Sequence, residues 1–89
     1  MCQISSIWRF VDKVDFNKKF GLYVRQMRLN KGWTQAQLGD KISADYQYIS
    51  SLERGEFAPT VYWVYNLTVA LEMTFKDFMV GYHNFLHLD

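Results

Sequence analysis

The sequence predicts an all-α fold of five short helices packed into one compact cluster. Apolar residues recur at spacings of three and four along most of the chain, which is the period of one helix face. Thr-x-x-Gln at 34–37 and Thr-x-x-Asp at 74–77 are patterns with which helices begin. No stretch of useful length alternates apolar and polar residues, as a half-buried strand would.

The first predicted helix runs from Phe16 to Asn30. Basic and amide side chains separate its apolar residues, so the helix is amphipathic. Asp15 or Asn17 is expected to cap its N-terminus, and Gly32 to stop it. Its predicted apolar set is Phe16, Phe20, Tyr23, Val24, Met27 and, less regularly, Leu29.

The second and third predicted helices are short and are separated by a turn at residues 43–44. Thr34 caps the second, which extends to about residue 42. Asp45 caps the third, which ends at about Arg54 because Gly55 suits the left-handed position after a helix. The predicted buried residues are Ala36, Leu38 and Ile42 in the second helix, and Ile49 and Leu52, helped by Tyr48, in the third.

Two further helices complete the cluster. Thr60 caps the fourth, and Thr74 begins the fifth, which is expected to end at about Tyr82. The predicted core residues are Val61, Val64, Leu67, Ala70 and Leu71 in the fourth helix and Phe75, Phe78 and Met79 in the fifth.

We therefore expect residues 16–82 to form the domain, preceded by an N-terminal extension at 1–15 and followed by a C-terminal tail at 83–89. Ile4, Ile7, Trp8 and Val11 in the extension fit one face of a short helix, and β-branched and aromatic residues would also suit a strand. We favour the helix.

Composition narrows the function classes. At 89 residues, 49% of them hydrophobic, the chain suits one globular domain with a modest core, so its function is expected on a surface. No apolar run approaches a membrane span, no signal peptide is legible, and the single cysteine suits a reducing compartment. A cytoplasmic protein without a membrane partner is expected.

Positive charge is concentrated in the middle of the chain. Residues 18–55 carry seven basic and three acidic side chains, a net charge of +4, whereas residues 56–89 carry one basic and four acidic side chains, a net charge of −3. This asymmetry favours a surface that faces an anionic partner.

The third helix needs few of its residues for the core. Its outward side chains are Tyr46, Gln47, Ser50, Ser51 and Arg54. Amide, hydroxyl and guanidinium groups can hydrogen-bond to base edges or phosphates in the major groove. The N-terminus of the second helix, at Thr34 and Gln35, offers free N–H groups that suit a phosphate. These residues form the candidate DNA-binding set, and double-stranded DNA is the expected partner.

The segment from Lys18 to Met79 resembles the Cro/C1-type, or Xre-type, helix-turn-helix family of transcriptional regulators. The most specific elements are Arg-x-x-Arg followed by Lys-Gly-x-Thr-Gln at 25–35, and Tyr-Ile-Ser-x-Leu-Glu-Arg-Gly at 48–55. The resemblance implies a lambda-repressor-like fold. In size the chain is similar to restriction–modification controller proteins, and phage repressors also share the pattern.

The resemblance assigns roles to matching positions. It implies that Gln35 contacts phosphate, and that Arg28 and Glu53 form a buried ion pair with a structural role. Three residues depart from the family pattern near the turn. Gly39 replaces the usual Ala, and Ser43 replaces the usual Gly. Asp45 replaces the commoner Ser or Thr cap and brings a negative charge near phosphate.

Some of these residues have alternative interpretations. Tyr46 could pack against a neighbour instead of contacting DNA, and Ser50 or Ser51 could belong to a solvated face. His83 and His87 are four residues apart, but no third ligand is near in the sequence, so a metal site is not expected. No cofactor is predicted, and no group of residues suggests catalysis.

Aromatic residues are abundant in the last third of the chain. Those predicted to face outward are Tyr62, Trp63, Tyr65 and Val69, with Tyr82 and Phe85 beyond. An apolar patch of this kind favours a dimer interface, and the family resemblance implies two-fold dimers that bind half-sites about 34 Å apart. Alternatively, Ile7, Trp8 and Phe10 cover the patch within one chain.

The leading functional hypothesis is therefore a homodimeric, sequence-specific transcriptional regulator on a palindromic operator. An antitoxin whose aromatic surface binds a toxin is the second hypothesis. A protein-interaction module that has lost DNA binding is the third, and the polar face of the third helix argues against it.

Overall fold

The computed structural model describes residues 11–87, and within that range it contains five α-helices and no strand. The helices are α1 (Lys13–Asn30), α2 (Gln35–Ile42), α3 (Tyr46–Glu53), α4 (Val61–Ala70) and α5 (Phe75–Leu86). Helix α3 packs against α1 and α2, α2 also contacts α4, and α5 packs against α1 and α4. The predicted all-α, five-helix fold is confirmed. None of the described helices is long and apolar enough to cross a membrane.

The predictions for Ile4, Ile7, Trp8 and Phe10 lie outside the described residues. Val11, the last residue of that predicted helix face, is 64% exposed just before α1.

The caps of α2 to α5 are those predicted from the sequence. The Thr34 hydroxyl accepts from the Gln37 N–H at 3.1 Å, and the Gln37 side chain accepts from the Thr34 N–H at 2.8 Å, which completes a capping box. Asp45, Thr60 and Thr74 cap α3, α4 and α5 in a similar way. These helix starts are therefore determined by local sequence.

Two predicted helix boundaries are wrong: the start of α1 and the end of α5. The Asp12 carboxylate accepts from the Asp15 N–H at 3.0 Å, so α1 begins at Lys13 and not at Phe16, and Asn17 lies buried inside it. Helix α5 continues past Tyr82 to Leu86 because its last turn also packs on the core.

The core has an aliphatic half and an aromatic half. Leu38, Ile49 and Leu52 of the turn region are 0% exposed. Aromatic rings of α1 and α5 pack against one another beside them: Phe20, Tyr23, Phe78 and Tyr82. The Tyr23 hydroxyl donates to the Phe78 carbonyl at 2.8 Å, and burial raises the pKa of Tyr23. This bond satisfies a polar group inside the aromatic half.

Three predicted core residues are exposed. Val61 is 70% exposed in the first turn of α4, Leu29 is 53% exposed, and Ala36 lies on the outer side of α2. Val64, Leu67 and Leu71 are buried as predicted, and Thr68 is buried with them. Thr68 is accommodated there because its hydroxyl donates to the Tyr65 carbonyl at 2.7 Å.

The turn between α2 and α3 depends on two unusual residues. Ser43 adopts the left-handed conformation, with φ 55°, where the family pattern has glycine. Gly39 lies directly against the Ala44 carbonyl oxygen, and a Cβ atom at Gly39 would overlap it. The glycine therefore allows α2 to approach the turn closely.

Candidate nucleic-acid interface

Helix α3 is anchored on one side and open on the other. Ile49 and Leu52 are 0% exposed, whereas Tyr46 is 56% exposed. Gln47 and Arg54 are also exposed, and Ser50 and Ser51 are half-buried on the same outward side. The structure therefore brings together on one surface the α3 residues predicted to bind DNA: Tyr46, Gln47, Ser50, Ser51 and Arg54.

Asp45 holds the start of this helix. Its carboxylate accepts from the Gln47 N–H at 2.7 Å, so the negative charge lies at the positive end of the α3 dipole. The backbone of Gln47 is fixed by this bond, and its side chain is left at the exposed first turn.

Arg28 and Glu53 form a bidentate ion pair between α1 and α3. The Arg28 Nε donates to Glu53 Oε2 at 2.7 Å, and Nη2 donates to Oε1 at 2.9 Å. The two side chains are 8% and 4% exposed. A third donor of Arg28, Nη1, bonds to the Trp33 carbonyl at 2.8 Å. The pair therefore ties α1, α3 and the segment that precedes α2 together.

Gln35 joins this network from the first turn of α2. Its Nε2 donates to Glu53 Oε1 at 3.0 Å, and the residue is half-buried. A primary amide has two N–H donors. The Glu53 bond uses one of them and fixes the orientation of the amide, and the second N–H remains available to a ligand. Thr34, one residue earlier, uses its hydroxyl oxygen to cap α2.

The end of α3 carries a second charged cluster that the sequence did not predict. Arg54 Nε donates to Glu56 Oε2 at 2.8 Å, Nη2 donates to the Ser51 hydroxyl at 3.3 Å, and Nη1 donates to the Ser50 hydroxyl. The hydrogen bond from Arg54 holds the pKa of the Glu56 carboxyl below its usual range. The sequence signal was only an acidic residue two positions after an arginine, across a turn at Gly55.

Three residues of the predicted dimer surface remain exposed on α4. Tyr62 is 78% exposed, Val69 68% and Tyr65 56%, although Tyr65 stacks on Phe75 with ring centroids 5.2 Å apart. They are the part of the predicted dimer surface that is open in a single chain.

The other predicted interface residues pack within the chain. Tyr82 is 6% exposed, so its prediction as an interface residue is wrong: the longer α5 turns its ring toward Phe20 and Tyr23. Phe85 is half-buried against Tyr23, with centroids 5.4 Å apart, and Trp63 is half-buried against Tyr48, at 5.3 Å.

His83 and His87 lie side by side on α5 and at its C-cap, with ring centroids 4.7 Å apart. Within residues 11–87 no group of three or more His, Cys, Asp or Glu residues could hold a metal ion.

Two short helices joined by a turn, of which the second is buried on one side and polar on the other, define a helix-turn-helix protein. The helix-turn-helix family model HTH_3 matches residues 24–75, which include α2, the turn and α3. The chain belongs to this family, the Cro/C1-type DNA-binding transcriptional regulators.

Relatives and solved structures agree with this assignment. The chain is 40% identical over 58 residues to the uncharacterized HTH-type transcriptional regulator y4dJ of Sinorhizobium fredii, a match that covers 65% of this chain and 75% of the relative. The restriction–modification controller protein C.Esp1396I has a similar structure, with a TM-score of 0.73 and 26% identity over 81% of this chain and 94% of the controller. The clp gene regulator ClgR of Corynebacterium glutamicum shares the fold, with a TM-score of 0.72 and 24% identity over 81% of this chain and 77% of ClgR.

Proposed function

We propose that the protein regulates transcription as a homodimer that binds a palindromic operator, with α3 of each subunit in the major groove. The observation that carries this proposal is the polar side of α3, which the core does not use: Tyr46 and Gln47 are exposed in its first turn, while Ile49 and Leu52 are fully buried. The first turn of such a helix is the part that reaches base edges. A transcriptional role agrees with a cytoplasmic location.

The start of α2 is suited to hold a phosphate beside the groove. Helix N-termini present free N–H groups and a positive dipole end to anions. Gln35 adds the second N–H of its side-chain amide, whose orientation Glu53 fixes at 3.0 Å. We expect this contact to position the protein on DNA without reading sequence, because phosphate contacts are common to all duplexes.

Selection of bound sequences from random duplex DNA tests the proposal most directly. We expect an enriched sequence with two-fold symmetry and half-sites about one helical turn apart. Recovery of an asymmetric sequence would contradict the dimeric arrangement, and the absence of any enrichment would contradict sequence-specific binding.

Gln47→Ala tests which side chain reads the operator. A glutamine amide can make a bidentate pair with adenine, so we expect binding to the selected operator to weaken by about 1–3 kcal/mol. Binding to unrelated duplex should change little. Titrations of labelled operator and of labelled unrelated duplex measure the two affinities, with Gln26→Ala, an exposed amide on α1, as the matched control. If Gln47→Ala retains the affinity and sequence preference of the wild type, Gln47 does not read bases.

The dimer surface that we propose consists of Tyr62, Tyr65 and Val69. Large exposed apolar side chains grouped on one helix of a small domain usually mark an interface. A second structure of C.Esp1396I, with 27% identity and a TM-score of 0.72, is of the tetramer in complex with its natural 35-base-pair operator. This similarity supports an assembly of more than one subunit on DNA.

Replacement of Tyr62 and Val69 together by serine should weaken the dimer. Each substitution removes an apolar side chain that would be buried at the interface. We therefore expect the dissociation constant (Kd) of the dimer to rise by at least about tenfold. Sedimentation velocity over a concentration series measures this change. Leu29→Ser, which removes a similarly exposed apolar side chain from α1, should leave the Kd unchanged. A Tyr62→Ser/Val69→Ser variant with wild-type sedimentation would place the interface elsewhere.

A further inference from the structure

Arg54 and Glu56 form an exposed ion pair at the end of α3, the helix that the proposed function places in the major groove. Their side chains are 57% and 52% exposed, and Arg54 Nε lies 2.8 Å from Glu56 Oε2. Arg54 also donates to the hydroxyls of Ser50 and Ser51. Two edges of the Arg54 guanidinium are therefore hydrogen-bonded within the chain, although the Arg54 side chain as a whole is exposed to solvent.

A carboxylate and a phosphate compete for the same guanidinium geometry. Both present two oxygens that match the planar N–H fork of arginine. Glu56 occupies the Nε donor of Arg54, so Arg54 can use this edge on a DNA phosphate only after the bond to Glu56 has broken. Glu56 is ionised at neutral pH, as any exposed glutamate is, and the hydrogen bond from Arg54 lowers its pKa further.

The position of Arg54 on the helix determines which part of DNA it would meet. Arg54 is the C-cap residue of α3, at the opposite end from Tyr46 and Gln47. The first turn of a recognition helix reaches the bases, and contacts farther along it are mostly to the sugar–phosphate backbone. A phosphate contact at Arg54 would therefore add affinity for every sequence alike.

We propose that Glu56 is an intramolecular competitor of DNA phosphate for Arg54, and that it lowers the affinity of the protein for duplex DNA of any sequence. This inference rests on the proposed function. Glu56 thereby lowers the affinity for nonspecific DNA, because the charge of Arg54 is neutralised until a phosphate displaces the carboxylate. Ser50 and Ser51 hold the guanidinium close to the groove while this exchange occurs.

Glu56→Gln is the first test, with binding measured by fluorescence anisotropy on the selected operator and on an unrelated duplex across a series of salt concentrations. We expect binding to both duplexes to tighten by about threefold to tenfold. The plot of log K against log salt should become steeper by at most about 0.9, the value for one phosphate contact, because Glu56 keeps Arg54 from phosphate in only a fraction of the wild-type complexes. Asp77→Asn, which removes the same charge from the first turn of α5, is the control and should leave both measurements unchanged.

Glu56→Gln in an Arg54→Gln background separates competition from simple repulsion between Glu56 and DNA. Competition requires Arg54, so the gain from Glu56→Gln should vanish in this background. An equal gain in both backgrounds would show repulsion alone and overturn the proposal, as would unchanged affinity in Glu56→Gln while the wild type binds its operator. If the wild type binds neither duplex, the proposed function itself falls. Both side chains are exposed, so thermal unfolding of each variant should match that of the wild type.

Discussion

Glu53→Ala is expected to destabilise the domain by about 3–5 kcal/mol, because it leaves the buried Arg28 guanidinium without its carboxylate. Arg28 is 8% exposed in its side chain, and two of its donors bond to Glu53 at 2.7 and 2.9 Å. Only the bond from Nη1 to the Trp33 carbonyl would survive. Urea unfolding followed by circular dichroism measures the loss as a change in the free energy of unfolding.

Two comparisons make this test specific. Glu56→Ala makes the same substitution in an exposed ion pair, and it should change the free energy of unfolding far less. The double variant Arg28→Met/Glu53→Leu removes both buried charges, so it should be more stable than Glu53→Ala. A loss below about 1 kcal/mol in Glu53→Ala would contradict a structural role for the pair.

Gly21→Ala is expected to destabilise the domain by about 1–3 kcal/mol, although alanine favours a helix by about 1 kcal/mol over glycine. A Cβ atom at this position would overlap the Leu52 carbonyl oxygen and lie 2.8 Å from that of Glu53. Both atoms belong to the backbone of α3, so relief requires α1 and α3 to move apart. Thermal and urea unfolding measure the cost.

Gly32→Ala is the matched control for this substitution. No atom lies within 4 Å of a Cβ atom at Gly32, whose φ is +75°, so alanine there meets only the strain of the left-handed conformation. Gly21 is helical and carries no such strain, so Gly21→Ala reports steric overlap between helices and Gly32→Ala reports backbone strain. If Gly21→Ala stabilises the protein, as helix propensity alone would require, the close approach of α1 and α3 is not needed for stability.

Glu53→Ala and Gly21→Ala both act at the contact between α1 and α3. Gly21 lets the backbone of α3 approach α1, and at that distance Arg28 reaches Glu53. Glu53 in turn holds the Gln35 amide at the start of α2. The same carboxylate that balances the Arg28 charge therefore also orients a proposed phosphate contact.

Local sequence was sufficient for the parts of the fold that depend on neighbouring residues. The capping residues Thr34, Asp45, Thr60 and Thr74 bond to N–H groups two or three positions ahead, and such bonds are legible from spacing alone. The buried positions of α3 followed from its period, because few apolar residues are available to anchor it. The start of α1 was missed since Asp12, Asp15 and Asn17 are all acceptable caps, and it is the Asp12 carboxylate that accepts from the Asp15 N–H.

By itself, then, the sequence determined an all-α, five-helix domain of the helix-turn-helix family, together with the polar face of α3. Only the tertiary structure decided that Tyr82 belongs to the core, that Val61 does not, and that Gln35 is already bound to the Glu53 carboxylate of its own chain. The physical reason is distance along the chain. Caps and helix faces arise from residues within one or two turns, whereas burial and the partners of Gln35 depend on helices that meet only after the chain has folded.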